Sequence, residues 1–316
     1  MNPTLRSITE QFHYWHQAAV PGALHSGEPH VLLGCGTSYY LAQSVAAALN
    51  VAGVHALAVP GSEWLGRPDA YLPAGTHPRV IAFSRSGEST ETVEAARRSQ
   101  ELGLHVTALT CEAGSALTRH ADTVLYTQTH PEEGIVMTSS ASLMMLTGLR
   151  LAGLPYGDPE ISAAEALLRQ MHSTCGDVIA GRSHFVFLGA GELYGVAQEG
   201  ALKLQEMSLT YTQAYHPMEY RHGPVSLVDE RTVVVMLAHP DSATEDARLV
   251  DELRAKGARV IGFGVGADLT LDVQGTAMNR AVTVLPALQV LGECVAQAKG
   301  LDTTAPRWLT KVVTLA

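Results

Sequence analysis

Two stretches, His30-Val-Leu-Leu-Gly-Cys-Gly-Thr-Ser38 and His184-Phe-Val-Phe-Leu-Gly-Ala-Gly191, are built to the same plan although they lie far apart in the chain. Each begins with a histidine, continues through a short apolar run and ends in a Gly-x-Gly turn. An apolar run of this length, followed by a glycine turn and helix-forming residues, predicts a buried β-strand that leads into an α-helix. The two stretches therefore predict two βα units of the same kind.

The pattern that follows the first stretch is repeated after the second. Further strands are predicted to end near Ser84, Thr110 and Thr127 in the first half, and near Ala238, Gly264 and Leu285 in the second. Measured from Gly34 and Gly189, the matched distances agree within three residues, which indicates an internal duplication. Strands that alternate with helices imply a parallel sheet covered on both faces. The predicted fold class is α/β: two doubly wound, five-stranded parallel-sheet domains, flavodoxin-like and three-layered (α/β/α), related by duplication.

Three segments are predicted along the chain. Residues 1–25 form an N-terminal helical arm, and residues 26–155 form the first domain. Residues 156–316 hold a linking helix, the second domain and a C-terminal tail. In sheets of this kind ligands bind outside the carboxyl ends of the strands, where helices begin.

Composition limits the functions that this chain can have. The chain has 316 residues and a formal net charge of −10, which argues against a general nucleic-acid surface. Its four cysteines form no CxxC pair, so we expect reduced thiols of a cytoplasmic protein. No apolar signal core or uninterrupted membrane-spanning stretch is evident, and we expect no membrane association. The histidines lack a ligand spacing such as HxxxH, so no metal is assigned.

A phosphate-binding site is predicted where two neighbouring strands end. Ser84-Arg-Ser-Gly-Glu-Ser-Thr90 follows a strand and opens a helix, and its hydroxyl and N–H groups suit a tetrahedral anion. Gly34-Cys-Gly-Thr-Ser38 has the same construction. The alternative is that these hydroxyl residues only cap helices. Neither loop fits the dinucleotide fingerprint GxGxxG, which disfavours a nicotinamide cofactor. Neither loop fits the Walker motif.

A second stretch carries acid–base groups. Glu199, Lys203 and Glu206 fall on one face of a predicted helix, and the loop Tyr215-His-Pro-Met-Glu-Tyr-Arg-His-Gly-Pro224 follows it. Carboxylates, a lysine and histidines so close together can perform acid–base catalysis. The alternative is an exposed helix with a weak Glu–Lys pair. For Glu219 and Arg221, pairing with each other and reaching a site stay equally open.

These motifs together resemble the sugar isomerase (SIS) family, which includes the isomerase half of glucosamine-6-phosphate synthase and stand-alone aminosugar-phosphate deaminase/isomerases. The resemblance covers roughly residues 25–316. The matching motifs are Gly34–Ser38, Ser84–Glu88, Glu199-Gly-Ala-Leu-Lys-Leu-Gln-Glu206, Arg221-His-Gly-Pro224 and Pro306-Arg-Trp-Leu-Thr-Lys-Val-Val-Thr314. It implies two SIS domains that act on phosphorylated sugars without a metal or an organic cofactor.

The resemblance also implies roles for individual residues. The phosphate-binding group comprises Thr37, Ser38, Ser84, Arg85, Ser86, Ser89, Val136 and Thr138. Glu206 matches the glutamate that moves a proton between C1 and C2, and Lys203 matches a helical lysine beside it. His222 matches the ring-opening histidine that the neighbouring subunit supplies, and Lys311 matches a lysine that contacts the open sugar. Arg85 stands where the synthase has glutamine, and Thr138-Ser-Ser140 replaces its Ser-Thr-Lys.

The expected function is conversion of glucosamine 6-phosphate or galactosamine 6-phosphate and water to a ketohexose 6-phosphate and ammonia, by a homodimer with a shared active site. Because the sequence begins at Met1 without a glutaminase domain, net synthesis of the amino sugar is not expected. Two other enzyme activities stay open: a tagatose- or fructose-phosphate isomerase, and a fructosamine-phosphate deglycase. A sugar-phosphate sensor is the alternative of another class, but it would lack the matches to Glu206, His222 and Lys311.

Overall fold

The computed structural model describes residues 1–25 and 27–313. The predicted domain start at Ser26 and the tail residues from Thr314 to the end lie outside the described residues. The chain divides into two compact units. The first unit comprises Glu10–Pro155 and the chain from Thr310 onward, and the second comprises Met1–Thr9 and Tyr156–Leu309. Met1–Thr9 belong to the second unit rather than to a separate arm. The chain from Thr310 onward belongs to the first unit, whereas the prediction placed it with the second domain.

Each unit contains one five-stranded, all-parallel sheet. In chain order the strands are β1 (His30–Gly34), β2 (Ala56–Pro60), β3 (Arg79–Ser84), β4 (Val106–Thr110), β5 (Thr123–Tyr126), β6 (His184–Gly189), β7 (Thr212–Tyr215), β8 (Thr232–Leu237), β9 (Arg259–Phe263) and β10 (Leu269–Leu271). The first sheet has the order β2-β1-β3-β4-β5 and the second β7-β6-β8-β9-β10, which is the same order for matched strands. The predicted fold class and the duplication are confirmed.

The helices surround these sheets. In chain order they are α1 (Pro3–Thr9), α2 (Phe12–Trp15), α3 (Thr37–Val51), α4 (Gly61–Gly66), α5 (Thr90–Glu101), α6 (Ser139–Leu151), α7 (Asp158–Thr174), α8 (Gly176–Ile179), α9 (Glu192–Ser208), α10 (Pro217–Tyr220), α11 (Ala243–Ala255) and α12 (Ala277–Ala298). The interior strands β1 and β8 are buried along their whole length. Continuous apolar runs of this kind are typical of parallel sheets that helices cover on both faces.

The two Gly-x-Gly turns have nearly the same backbone conformation. Gly36 has φ 55° and ψ −127°, and Gly191 has φ 54° and ψ −126°. The glycine that ends each strand also lies very close to the helix that follows. A Cβ added at Gly34 would lie 2.5 Å from the carbonyl carbon of Ser38, and one added at Gly189 would lie 2.4 Å from the carbonyl oxygen of Leu193. The turns therefore need glycine at both positions, for conformation and for space.

One predicted strand is wrong. The sequence pattern predicts that the last strand of the second sheet ends near Leu285, but this residue lies inside α12 and the strand is β10, which ends at Leu271. The run Ala281–Leu285 is apolar and β-branched, as in a strand, yet it belongs to a helix that is buried nearly all round. Such a helix lacks the polar face that would reveal its periodicity.

The same helix bears on the expected absence of a membrane span. Within the described residues, α12 is long and apolar enough to cross a bilayer by length and composition alone. However, 83% of its most apolar window is buried inside the protein. The core helix of a soluble protein passes the same test, so the helix is weak evidence for a membrane span.

Replacement of Gly189 by alanine tests the close approach of β6 and α9. We expect the Gly189→Ala protein to lose about 1–3 kcal/mol of stability, because the new Cβ meets backbone atoms that cannot move alone. The melting temperature measured by circular dichroism should fall by several degrees. Gly176→Ala in α8 is the matched control, since a Cβ there meets nothing within 4 Å. Equal melting temperatures for the two variants would contradict this account.

Candidate active site

The loop after β3 forms a tight turn in the first unit. Ser84 Oγ accepts a hydrogen bond from the N–H of Gly87 at 3.1 Å, and Ser86 Oγ accepts one from the N–H of Glu88 at 3.2 Å. Gly87 has φ +62°, and a Cβ there would lie 2.0 Å from Ser115 Oγ. The serines thus order the turn that joins the end of β3 to the start of α5.

Hydroxyl groups lie at the first turns of two helices on the same edge of this sheet. Thr37 and Ser38 open α3 after β1 and are buried. Ser89 is the residue before α5 and makes no capping hydrogen bond with its side chain. Since β1 and β3 are neighbours, both helix N-termini lie at the carboxyl edge of adjacent strands. N–H groups and the helix dipole favour an anion at such a position.

The N-terminus of a third helix, α6, is occupied by a carboxylate that the sequence analysis missed. Glu133 is 3% exposed, and its Oε1 accepts hydrogen bonds from the N–H and hydroxyl groups of Thr138 and of Ser140. Val136, between these residues, is also buried. The polar groups of Thr138, predicted to bind phosphate, are therefore directed to Glu133. An acidic residue five positions before a hydroxyl residue is too weak a pattern to reveal this contact.

Arg85 also makes contacts that the sequence did not indicate. Its guanidinium group is buried and donates to three backbone carbonyl oxygens: Gly134 at 3.1 Å, Ile135 at 3.0 Å and Lys311 at 3.0 Å. The geometry assigns Arg85 to holding the loop before α6 and the C-terminal tail in place. Its predicted contact with phosphate would have to come in addition to these bonds.

The tail itself lies against the first unit rather than with the second sheet. Lys311 Nζ donates to the carbonyl oxygen of Glu133 at 3.1 Å, and its own carbonyl accepts from Arg85. The carbonyl of Val313 accepts from the N–H of Thr90, the first residue of α5, at 3.5 Å. Lys311 and the hydroxyl-rich loops therefore belong to one unit, although they are more than 200 residues apart in the chain.

The acid–base helix α9 lies in the second unit. Lys203 is 1% exposed, and its Nζ contacts Glu206 Oε2 at 2.5 Å and Glu199 Oε1 at 3.5 Å. The side chain of Glu199 is fully buried, whereas that of Glu206 is 20% exposed. This geometry excludes the alternative of an exposed helix with a weak surface pair. Among these three charged side chains, that of Glu206 is the most accessible to solvent.

Close packing explains why this helix face is buried. A Cβ at Gly200 would lie 2.9 Å from Leu288 of α12 and 3.0 Å from Phe187 of β6. Gly200 therefore lets α9 approach both elements, one turn before Lys203. The side chains of Lys203 and Glu199 therefore lie in a closely packed part of the second unit.

The loop after α9 holds the remaining candidates. His216 stacks on Tyr194 with ring centroids 3.9 Å apart, and burial lowers its pKa. Arg221 pairs with Glu252 of α11 at 3.1 Å rather than with Glu219. His222 is exposed on the turn that follows α10. Within residues 1–25 and 27–313, no hydrogen bond or ion pair joins His222 to Lys203 or Glu206.

The fold and these motifs agree with comparisons to known proteins. A family model described as the SIS domain matches residues 26–152 and 179–271. The chain therefore belongs to the SIS domain family. It is similar to the solved structure of glucosamine-6-phosphate deaminase from Thermotoga maritima, with 30% identity, a TM-score of 0.85 and coverage of 99% of this chain and 100% of that one.

Two further relatives carry different names. Tagatose-6-phosphate ketose/aldose isomerase from Escherichia coli is 25% identical, with a TM-score of 0.81 over 95% of this chain and 93% of that one. The isomerizing glutamine–fructose-6-phosphate aminotransferase of Pyrobaculum aerophilum is 31% identical over 94% of this chain and 53% of the relative. The chain spans about half the length of the curated relatives it matches.

The role of Arg85 in holding the tail can be tested by proteolysis. We expect Arg85→Met to raise the rate of tryptic cleavage between Lys311 and Val312 about tenfold, because a lost charge-assisted hydrogen bond increases the population of the detached tail. Mass spectrometry identifies the product. Arg119→Met, at an exposed arginine of the same unit, is the control. If both variants are cleaved at the wild-type rate, Arg85 does not hold the tail.

Proposed function

We propose that this protein is an aminosugar-6-phosphate deaminase that acts by aldose–ketose isomerisation. The substrate is glucosamine 6-phosphate or galactosamine 6-phosphate, and the products are a ketohexose 6-phosphate and ammonia. The observation that carries the proposal is the buried Lys203, held against the partly exposed carboxylate of Glu206. This pair supplies a fixed base beside a fixed positive charge, which proton transfer next to a carbonyl group requires.

The phosphate group of the substrate anchors it at the hydroxyl-rich loops of the first unit. Ser84, Ser86 and Ser89 bind it, with Thr37 and Ser38 beside them. The dipoles of α3 and α5 favour the dianion there. Arg85 and Thr138 act indirectly, because their donors hold the tail and Glu133 respectively. Val136 shapes the loop that precedes α6.

Isomerisation follows once the sugar ring is open. His222 exchanges a proton with the ring oxygen, since an imidazole can donate and accept near neutral pH. Glu206 removes the proton from C2 of the open-chain amino aldose and returns it to C1, which leaves an imine at C2. Water adds to C2 and the C–N bond breaks, so ammonia leaves and the ketose remains. Lys311 contacts the open chain and stabilises the oxygen that becomes negative.

A homodimer with a shared active site completes the proposal. His222 is exposed within its own chain, so it is free to reach a neighbouring subunit. In a dimer with twofold symmetry, each subunit would supply its His222 to the active site of the other. We also propose a cytoplasmic location, because Cys35, Cys111, Cys175 and Cys294 are all free thiols.

The comparisons support deamination most directly. The deaminase of Thermotoga maritima is matched along its whole length, whereas the aminotransferase matches only over about half of its own. A ketose/aldose isomerase acting on tagatose 6-phosphate is the second candidate, favoured by the Escherichia coli structure. Deglycation of a fructosamine phosphate and sugar-phosphate sensing are weaker candidates.

Ammonia release distinguishes these activities. Wild-type protein should release ammonia from glucosamine 6-phosphate or galactosamine 6-phosphate, and Glu206→Gln should lower kcat by about a hundredfold or more because the base is lost. Glu245→Gln, an exposed glutamate of α11, is the matched control and should keep full activity.

The other results would each overturn part of the proposal. Ketose formed from an aldose phosphate without ammonia release indicates the isomerase. Ammonia released only from a fructosamine phosphate indicates the deglycase, and tight binding without turnover indicates the sensor. Wild-type turnover by Glu206→Gln would exclude this residue as the base.

Hybrid dimers test the shared active site. Glu206→Gln and His222→Ala proteins, each inactive alone, should regain about a quarter of wild-type activity when mixed in equal amounts and allowed to exchange subunits. Half of the dimers are then hybrids, and each hybrid holds one intact site. Mass spectrometry first establishes that the subunits have exchanged. If no activity is recovered after this exchange, His222 acts within its own chain.

A further inference from the structure

The first unit contains a cavity that is separate from the hydroxyl-rich loops. It has a volume of about 610 Å³ and is lined by residues from the amino ends of the strands and from the loop before β1. Arg79 starts β3 and lines this cavity, whereas Ser84 ends the same strand beside the predicted phosphate site. Five residues of extended strand separate these positions by about 16 Å. The cavity is therefore a distinct site on the opposite edge of the sheet.

A row of basic side chains crosses this edge. His30 and Arg79 are direct partners in the register of β1 and β3. Val80 pairs with Val106, so His105 lies next to Arg79 at the start of β4. Partners in a parallel sheet point to the same face, and neighbouring strands are about 4.8 Å apart. All three basic residues line the cavity, as this geometry requires.

Two nitrogen atoms in this row are buried and have no hydrogen-bond partner in the part of the chain that the structure describes. His30 is 4% exposed, and its Nδ1 has no hydrogen-bond partner among residues 1–25 and 27–313. The Nδ1 of His105 is also buried and has no hydrogen-bond partner among the same residues. Buried polar atoms are nearly always paired, so such atoms on a cavity wall indicate a missing ligand group. Burial also lowers the pKa of His30, although a hydrogen bond with the backbone of Glu28 opposes this shift.

The rest of the cavity is mostly apolar. Ile81 lies two residues beyond Arg79 on the same strand face, and Leu24, Leu125 and Leu151 complete this part of the wall. Glu28 forms an ion pair with Arg79 at 3.4 Å, but the side chains of Glu28 and Arg79 are 64% and 42% exposed, so an incoming anion can displace the carboxylate. The cavity thus offers hydrogen-bond donors and one positive charge on one side and an apolar surface on the other.

We propose that this cavity binds a small organic anion, with a carboxylate or phosphate group at His30, Arg79 and His105 and an apolar body against the leucine and isoleucine side chains. The site is independent of the proposed catalytic function. Its volume suits a ligand with one or two rings. Recognition by an arginine and two imidazole groups favours anions over neutral molecules of the same shape.

The probe for this site is 2-naphthoate, an apolar anion, titrated into the full-length protein by isothermal calorimetry. We expect saturable binding of one naphthoate per chain, and binding of the uncharged isostere 2-naphthamide that is at least about tenfold weaker. Arg79→Gln and His105→Gln should each weaken naphthoate binding by about tenfold. Two variants are used because one of them could disturb the fold. Circular dichroism checks the folding of each variant.

Two controls locate the bound molecule. Arg119→Gln removes the same charge from an exposed position of the same unit and should not change the affinity. Ser84→Ala alters the predicted phosphate site and should not change it either. Equal affinity in all variants, no binding, or loss of binding in Ser84→Ala would each overturn the proposal.

Discussion

The buried ammonium group of Lys203 is the constraint on which the second unit depends. Removal of a charge from water costs several kcal/mol, and only close partners can offset that cost. Glu199 and Glu206 supply these partners from the preceding and following turns of the same helix. Gly200 then allows α9 to pack tightly enough on β6 and α12 to keep water away. A buried ion pair contributes little net stability, so its presence points to chemistry more than to folding.

The duplication shows how one backbone plan supports two different tasks. The turns at Gly36 and Gly191 have almost identical dihedral angles, yet the residues that follow differ. Thr37 opens α3 with a hydroxyl group, whereas Glu192 opens α9 with a buried carboxylate that lies 3.4 Å from His239. A carboxylate at a helix N-terminus occupies the place that an anion would take. The start of α3 therefore leaves room for an external anion, whereas the carboxylate of Glu192 already lies at the start of α9.

Glu133 and Arg85 show how the first unit joins distant segments. The carboxylate of Glu133 satisfies the N-terminus of α6, while its backbone carbonyl accepts a hydrogen bond from Lys311. Arg85 binds carbonyl groups on both sides of this arrangement, in the loop and in the tail. Because guanidinium donors are planar and fixed in direction, one arginine can hold several backbone groups in register. The predicted phosphate-binding loop and the tail lysine are therefore positioned by the same residues.

The sequence by itself determined the fold class, the glycine turns, the duplication and seven of the ten strands of the described residues, but it did not locate β2 or β7. These features depend on local periodicity and on glycine conformation, which a reader of the sequence can recognise. It failed at Leu285, where a helix buried on all sides shows no periodicity. Only the tertiary structure decided that Arg85 binds the tail, that Glu133 fills the start of α6 and that Lys203 is buried. Those contacts depend on directed hydrogen bonds, on burial and on packing between segments distant in the chain, which spacing in the sequence does not encode.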